Sequence, residues 1–168
     1  MEELLEEILA EDGAALTRLA WGLTGSADQA RDLVQDSLVR VASQWRKVAS
    51  ADNRSAYVRA VLLNVWRDQR RRKTVATSPL EHDPTSKTEP AEDRLVDRHV
   101  LIKAMTSLSP QQRNVVILRF LDDQSVHSTA YILGCSDDTV RTQSHRALRI
   151  LREHPQLHRY IPNLEVPE

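Results

Sequence analysis

The chain has 168 residues, and its 24 acidic side chains against 23 lysines and arginines leave a formal net charge of −1. That length holds one domain or two small ones, and the near-zero charge excludes a uniformly basic protein that binds nucleic acid over its whole surface. A single cysteine, Cys135, excludes an internal disulfide and a cysteine-rich zinc site, which leaves a small half-buried filler as its expected role.

No stretch is apolar for long enough to span a membrane, and the acidic start MEELLEEILAED does not fit a signal peptide. We therefore expect a cytoplasmic protein without membrane insertion. His154 and His158 have helical spacing, but Pro155 lies between them and no further ligands cluster nearby, so no metal site is expected. The histidines and carboxylates form no recognisable nucleophile or phosphate-loop set, so neither a cofactor nor an enzymatic activity is predicted.

The charges are arranged in blocks. Residues 51–73 hold seven basic and two acidic side chains, residues 74–97 hold six acids and two bases, and residues 98–121 hold four bases and no acid. Such alternation suits a protein whose faces meet different partners. Only four glycines occur and strand-like alternation is scarce, so the sequence predicts an all-α fold.

The first 73 residues carry the pattern of four helices. Residues 2–11 and 12–23 are predicted as two short helices, and Ser26 then caps a third helix of about 27–46. The predicted buried stripe of the third helix consists of Leu33, Val34, Leu38, Val41 and Trp45.

A loop at about 47–54 leads into a fourth helix at about 54–72. The side chains predicted to be buried on this helix are Tyr57, Val58, Val61, Leu62, Val65 and Trp66. Its other face presents Arg59, Asn64, Arg67 and Arg70, and the helix ends in Arg71, Arg72 and Lys73. Five basic residues within 67–73 exceed what stabilises a helix C-terminus, so this segment resembles a DNA-binding feature.

Residues 74–91, TVATSPLEHDPTSKTEPA, hold three prolines and no helical stripe, which predicts a flexible linker. The sequence thus indicates two small helical domains, 1–73 and 92–153, joined by this linker. The tail 154–168 also holds three prolines, is expected to be extended or disordered, and receives no function.

The second domain ends in the pattern of a helix-turn-helix. Ser109 and Pro110 begin one helix, whose predicted stripe continues through Val115, Val116, Leu118 and Phe120. Ser125 then caps a short helix. Ala130, Gly134 and Val140 fall where such a motif needs a small residue, a turn glycine and a core residue, so residues 137–153, capped by Ser136, become the recognition helix.

The two faces of that last helix differ in chemistry. Val140, Ala147, Leu148 and Leu151 form the apolar face. Arg141, Thr142, His145, Arg146 and Arg149 form the opposite face. This arrangement favours a helix that packs through one side and offers cationic donors to DNA from the other.

In this order the motifs resemble the extracytoplasmic-function (group IV) sigma factors of the sigma-70 family, in particular their actinobacterial SigE-like branch. ARDLVQDSLVRV is similar to region 2.2, SAYVRAVLLNVWRDQRRR to regions 2.3 and 2.4, and LSPQQRNVVILRF with STAYILGCSDDTVRTQSHRALRILR to region 4. The similarity covers about residues 10–153. It implies a protein, monomeric when free, that binds core RNA polymerase at the β′ clamp helices and β flap and directs promoter recognition and opening.

The resemblance also assigns residues. It implies polymerase contacts from Asp32, Gln35, Asp36 and Arg40. It implies contacts to the promoter −10 element from Ser50, Asp52, Asn53, Arg54, Arg59, Asn64, Arg67, Arg70, Arg71 and Arg72, with the loop at 50–54 as the pocket for a flipped base. Arg141, Thr142, His145, Arg146 and Arg149 would contact the −35 element. A separate anti-sigma factor is a further implied partner.

The sequence departs from the family pattern at Asp137 and Asp138, which open the recognition helix, and at His127 and Ser128. The acids suit the helix dipole but face incoming phosphate. They would orient arginines, accept from cytosine, or weaken DNA binding. These acids leave open a degenerate sigma factor that acts as a protein-interaction module. A stand-alone helix-turn-helix regulator is a second alternative function.

Overall fold

The computed structural model describes residues 2–76, 100, 103–155 and 157, and the regular structure in these ranges is helical. The described part of the chain divides into two compact units. One contains the helices up to residue 76 and the other those after residue 102, apart from Tyr131–Gly134, which group with the first. The predicted all-α fold with two small helical domains is confirmed.

The first unit contains α1 Glu2–Thr24, α2 Ala27–Ser43, α3 Trp45–Ala49 and α4 Arg54–Ala76. Helix α1 packs against α2 and α4, and α2 packs against α4. The largest side chains fully buried in this unit are Leu16, Leu19, Leu33, Val41, Val48, Val58, Leu62 and Leu63. Helix α4 continues to Ala76, and residues 77–99 lie outside the described ranges, so the linker at 74–91 stays a prediction.

The prediction of two helices, 2–11 and 12–23, is wrong, because α1 runs unbroken from Glu2 to Thr24. The hydroxyl of Thr17 donates to the Gly13 carbonyl at 2.8 Å. Asp12 lies on the inner face of α1, where its carboxylate accepts hydrogen bonds from Ser55 and Arg59 of α4. Packing against α4 therefore outweighs the low helix propensity of an aspartate followed by glycine.

The end of the third predicted helix also differs. Ser26 caps α2 as predicted, accepting from the Gln29 amide at 3.5 Å. The helix stops at Ser43 because Gln44 leaves helical geometry with φ −118° and ψ 21°. This break turns Trp45 away from the core and leaves its side chain 40% exposed. The prediction that Trp45 belongs to the buried stripe is therefore wrong. Part of the predicted loop at 47–54 is helical as far as Ala49.

The helical elements after residue 102 are a segment at 103–106, α5 Pro110–Val116, a π-helical segment Ile117–Leu121, α6 Val126–Leu133 and α7 Asp137–Glu153. The core of the second unit brings together Ala104, Leu108, Val116, Ala147, Leu151 and Leu157. Leu157 is 5% exposed and its amide donates to the His154 carbonyl. The prediction of an extended or disordered tail is therefore wrong at Leu157, while residue 156 and residues 158–168 lie outside the described ranges.

The predicted helix starts of this unit are confirmed. Ser109 and Gln112 form a reciprocal capping box ahead of α5, with Pro110 at the first position. Ser125 accepts from the Ser128 amide at 3.0 Å. The predicted burial of Phe120 is wrong, since its side chain is 42% exposed. The π-helical turn, in which the Asp122 amide donates to the Ile117 carbonyl, shifts the helical register and turns Phe120 outward while Ile117 is buried.

Candidate nucleic-acid interface

Helices α6 and α7 are joined by the tight turn of a helix-turn-helix. Gly134 has φ +67°, a conformation that favours glycine, and the Cys135 amide donates to the Ala130 carbonyl at 3.0 Å. Ala130 and Val140 are both buried, as the motif requires. Ser136 starts α7 by accepting from the Thr139 amide at 3.2 Å. The positions inferred from the sequence for this motif are confirmed.

The faces of α7 separate as predicted. Its buried side chains are Val140, Ser144, Ala147, Leu148 and Leu151. All five predicted DNA contacts, Arg141, Thr142, His145, Arg146 and Arg149, are exposed. The exposed face of α7 is not used for packing within its own unit. A helix held on one side in this way can enter the major groove with its opposite face.

The two acids at the start of α7 have different partners. The Asp137 carboxylate lies 3.5 Å from Nδ1 of His127, which belongs to α6. The Asp138 carboxylate instead accepts from the guanidinium of Arg141 at 3.1 Å, within α7 itself. Of the four residues that depart from the family pattern, Asp137 and His127 are thus paired with each other, Asp138 is paired with a predicted DNA contact, and the Ser128 hydroxyl donates to the Gln124 side chain.

The basic face of α4 is less uniform. Asn64, Arg67 and Arg72 are exposed. Arg70 is half-buried, with its guanidinium 5.7 Å from the centre of the Trp66 ring. Arg71 lies 3.5 Å from the Asp68 carboxylate, with both side chains largely exposed. The predicted run of arginines therefore contains side chains in three different environments.

Arg59 does not lie on this exposed face, which corrects its predicted place among the DNA contacts. Its side chain is 4% exposed, and its guanidinium donates to the Asp12 carboxylate at 2.8 Å. It also donates to the backbone carbonyl of Ser55 at 3.1 Å and contacts the Ser55 hydroxyl. Arg59 therefore joins α4 to α1 inside the first unit.

The loop between α3 and α4 contains the remaining predicted −10 contacts. Ser50, Asp52, Asn53 and Arg54 are all exposed. The Asn53 side-chain oxygen accepts from the Ala56 amide at 2.9 Å and so caps α4, while Arg54 lies 3.2 Å from the Glu7 carboxylate of α1. Contacts to α4 and to α1 thus hold the end of this loop.

The predicted polymerase contacts lie together on α2. Asp32, Gln35, Asp36 and Arg40 are exposed on successive turns. The Asp36 carboxylate accepts from the side-chain amide of Gln69 on α4 at 2.7 Å. A groove of about 460 Å³ lies between α2 and α4, and its lining includes Asp36, Val39, Arg40, Asn64, Gln69 and Arg72. The structure therefore brings part of the predicted polymerase surface and part of the predicted −10 surface to one groove.

Two exposed apolar residues were missed by the sequence reasoning. Val39 lines this groove and is 71% exposed. Its position between the buried rows of α2 was a signal, because a valine off the apolar stripe must face solvent or a partner. Trp45 is the second, with the Arg46 guanidinium 5.4 Å from its ring centre. An aromatic residue next to basic side chains is a pattern of single-stranded nucleic-acid binding.

Within the described ranges, no helix is long and apolar enough to cross a membrane. The same residues contain no cluster of three or more histidine, cysteine, aspartate or glutamate side chains placed to hold a metal ion.

Comparison with known proteins shows the family. The family model "Sigma-70 region 2" matches residues 9–75, and "Sigma-70, region 4" matches residues 98–151. The chain is 36% identical to the RNA polymerase sigma-E factor of Streptomyces antibioticus over 88% of this chain and 82% of the relative. It is 31% identical to the ECF RNA polymerase sigma factor SigL of Mycobacterium tuberculosis over 89% and 87% of the two chains.

A solved structure supports the same conclusion. The sigma factor RpoE of Bartonella quintana, in complex with the anti-sigma factor NepR, is 26% identical and superposes with a TM-score of 0.68 over 91% of this chain and 96% of that one. CnrH, solved with the cytosolic domain of CnrY, shares the fold at 20% identity with a TM-score of 0.67. The chain belongs to the extracytoplasmic-function sigma factors of the sigma-70 family and acts in transcription initiation by RNA polymerase.

Proposed function

We propose that this sigma factor binds core polymerase through α2 and the α2–α4 groove, opens and reads the −10 element through α4 and the loop before it, and reads the −35 element through α7. The observation that carries this proposal is the exposure of all five predicted −35 contacts on α7, opposite its buried face, in a chain of this family.

The polymerase surface is supported by its chemistry. Asp32, Gln35, Asp36 and Arg40 give α2 a polar, mixed-charge face that does not attract DNA as a basic face does. Val39 adds an apolar side chain within that polar rim. An apolar centre with a polar rim is the usual composition of a protein–protein interface. The β′ clamp helices are the partner that the family resemblance implies.

The −10 surface is supported by the exposed cations of α4 and by the fixed loop before it. Arg67, Arg71 and Arg72 can neutralise phosphates, and Asn64 offers an amide to a base. The loop holds its shape through the Asn53 cap and the contact of Arg54 with Glu7. A fixed loop beside a basic helix suits a pocket for an unstacked base. Arg59 is left out of this surface because it is buried.

The first experiment is co-elution of the purified chain with bacterial core RNA polymerase on a sizing column. Asp32→Asn together with Asp36→Asn should weaken the complex, because both remove charge from the proposed contact face. Asp28→Asn is the matched control, since Asp28 is an exposed acid in the first turn of the same helix.

Two outcomes would contradict the proposal as a whole, and a third would contradict its contact face. Binding to a duplex promoter fragment without core polymerase favours a stand-alone regulator, and binding neither to polymerase nor to DNA favours an interaction module. If the Asp28 variant loses binding as much as the double variant does, the contact face has been assigned to the wrong part of α2.

We also propose that a separate anti-sigma factor binds this chain in the cytoplasm and occludes the polymerase surface. The proposal is supported by RpoE, which was solved together with NepR. It predicts that a co-expressed inhibitor protein protects Val39 and its neighbours from hydrogen exchange and competes with core polymerase. Simultaneous binding of inhibitor and polymerase would contradict it.

A further inference from the structure

The two acids that open α7 have the same charge and adjacent positions, yet the structure gives them different environments. Asp137 is 39% exposed and lies 3.5 Å from His127, on the preceding helix. Asp138 is 92% exposed and lies 3.1 Å from the guanidinium of Arg141, one turn further along α7. One acid is therefore turned toward α6, and the other stands beside an arginine of the DNA-facing surface.

We propose that Asp138 is a positioning residue that holds Arg141 for one base pair of the −35 element and so sets the preference at that base pair. The proposal rests on the proposed function of α7 as the −35 reader. Within the described residues, Arg146 and Arg149 have no carboxylate at ion-pair distance, so Arg141 is distinguished from these two predicted arginine contacts.

The geometry leaves Arg141 able to bind DNA while it is held. A guanidinium carries five N–H donors in a planar fork, and Asp138 accepts from Nη1. The remaining donors suit the paired O6 and N7 acceptors of guanine, the commonest specific arginine contact in the major groove. N-terminal residues of a recognition helix are the ones that reach base edges, and Arg141 is the fifth residue of α7.

The pair is better explained by recognition than by stability. Exposed ion pairs stabilise folded proteins very little, and Asp138 and Arg141 are 92% and 56% exposed. Holding a long side chain in one direction before DNA arrives does, however, reduce the conformational entropy lost on binding. This effect acts at the one base pair that Arg141 contacts, so it depends on the arginine being present.

The test uses the full-length chain reconstituted with core polymerase and a set of promoters in which each −35 base pair is varied in turn. Initiation rates are compared for wild type, Asp138→Asn, Arg141→Ala and the double variant. Asp137→Asn is the matched control, because it removes the same charge one residue away. Circular dichroism checks that each variant keeps its helices.

We expect Asp138→Asn to lose about tenfold in preference at one base pair, the range of a single specific contact. Arg141→Ala should lose preference at the same base pair, and the double variant should lose no more than Arg141→Ala alone. Asp137→Asn should change initiation on all promoters by a similar factor, since the Asp137 carboxylate faces His127 and no arginine of the predicted −35 contacts. Asp138→Glu, which keeps a carboxylate, should retain part of the preference.

Three results would overturn the positioning role: a uniform change from Asp138→Asn like that from Asp137→Asn, an effect at a different base pair from Arg141→Ala, or full additivity of the two substitutions. Failure of the proposed function itself looks different, because the wild-type holoenzyme would then be indifferent to every −35 base pair.

Discussion

Helices α4 and α7 are both arginine-rich and both proposed to meet promoter DNA, but they are packed in different ways. Helix α7 has one buried face and one exposed face, and each candidate DNA contact lies on the exposed one. Helix α4 packs against both α1 and α2, and its arginines range from the buried Arg59 to the exposed Arg72. On a helix that packs against two others, the role of a basic residue therefore has to be inferred from its burial and from the side chains that it contacts, because its charge alone does not decide it.

The largest expected effect concerns Arg59, the buried arginine of α4. Arg59→Ala leaves the Asp12 carboxylate, 14% exposed, with the Ser55 hydroxyl but without its cation, and breaking such an ion pair costs about 3 to 5 kcal/mol. The measurement is urea-induced unfolding of the full-length chain followed by circular dichroism. Arg67→Ala, an exposed arginine of the same helix, is the control and should change the free energy of unfolding by less than about 0.5 kcal/mol. Equal free energies of unfolding for the two variants would mean that Arg59 has no structural role, and Arg59 would again be a candidate DNA contact.

The second effect concerns α7. Arg141→Ala with Arg146→Ala should reduce −35-dependent transcription by about tenfold or more while co-elution with core polymerase is kept, since each specific contact contributes about 1 to 3 kcal/mol. Run-off transcription on promoters with and without the −35 element measures the loss. If polymerase binding disappears as well, the exposed face of α7 has another partner.

The third effect concerns the arginines at the end of α4, which should differ in how much each contributes to promoter opening. Replacing Arg70, Arg71 and Arg72 by alanine should slow promoter opening and reduce its dependence on salt. For promoter binding, the slope of log K against log salt concentration should fall by about 0.7 to 0.9 for each phosphate that the variant no longer neutralises. Among single variants, Arg72→Ala should slow opening more than Arg71→Ala, because Arg71 is already partly neutralised by Asp68. Binding constants and opening rates measured from about 50 to about 200 mM salt give the slopes. An unchanged slope in the triple variant rejects the −10 assignment of this segment.

The smallest effect compares two helix caps. Ser136 caps α7 and Asn53 caps α4, and replacing either by alanine should lower the free energy of unfolding by about 1 kcal/mol. Only Asn53→Ala should also slow promoter opening, because its cap fixes the candidate −10 loop. Equal opening rates for the two variants would mean that the loop keeps its shape without that hydrogen bond.

The sequence was most informative where local chemistry alone determines structure. The predicted bounds of α7, 137–153, match the observed Asp137–Glu153, since a serine cap and a periodic apolar face suffice to define such a helix. Ser26, Ser109 and Ser125 were identified as caps for the same reason. Each of these interactions spans three residues, so it is visible in a short window of sequence.

The errors arose where a partner distant in sequence decides the outcome. Arg59 and Asp12 are 47 residues apart, and only the tertiary fold brings them together. This ion pair also lies next to the break that the local pattern predicted between residues 11 and 12, where α1 is in fact continuous. Trp45 and Phe120 were misplaced because a helix break and a π-helical turn changed the register of an otherwise regular pattern. The individual polymerase and DNA contacts stay predictions, because their partners define them.

The buried pair of Arg59 and Asp12 also limits how this protein can evolve. A descendant that lost the carboxylate at position 12 but kept the arginine would hold an uncompensated positive charge inside its first unit. Loss of the arginine alone would leave the carboxylate there without a positive partner. The two positions should therefore change together, through an intermediate of low stability or by a neutral pair of similar volume. Co-variation of these positions among homologous sequences would identify the relatives that share this link between α1 and α4.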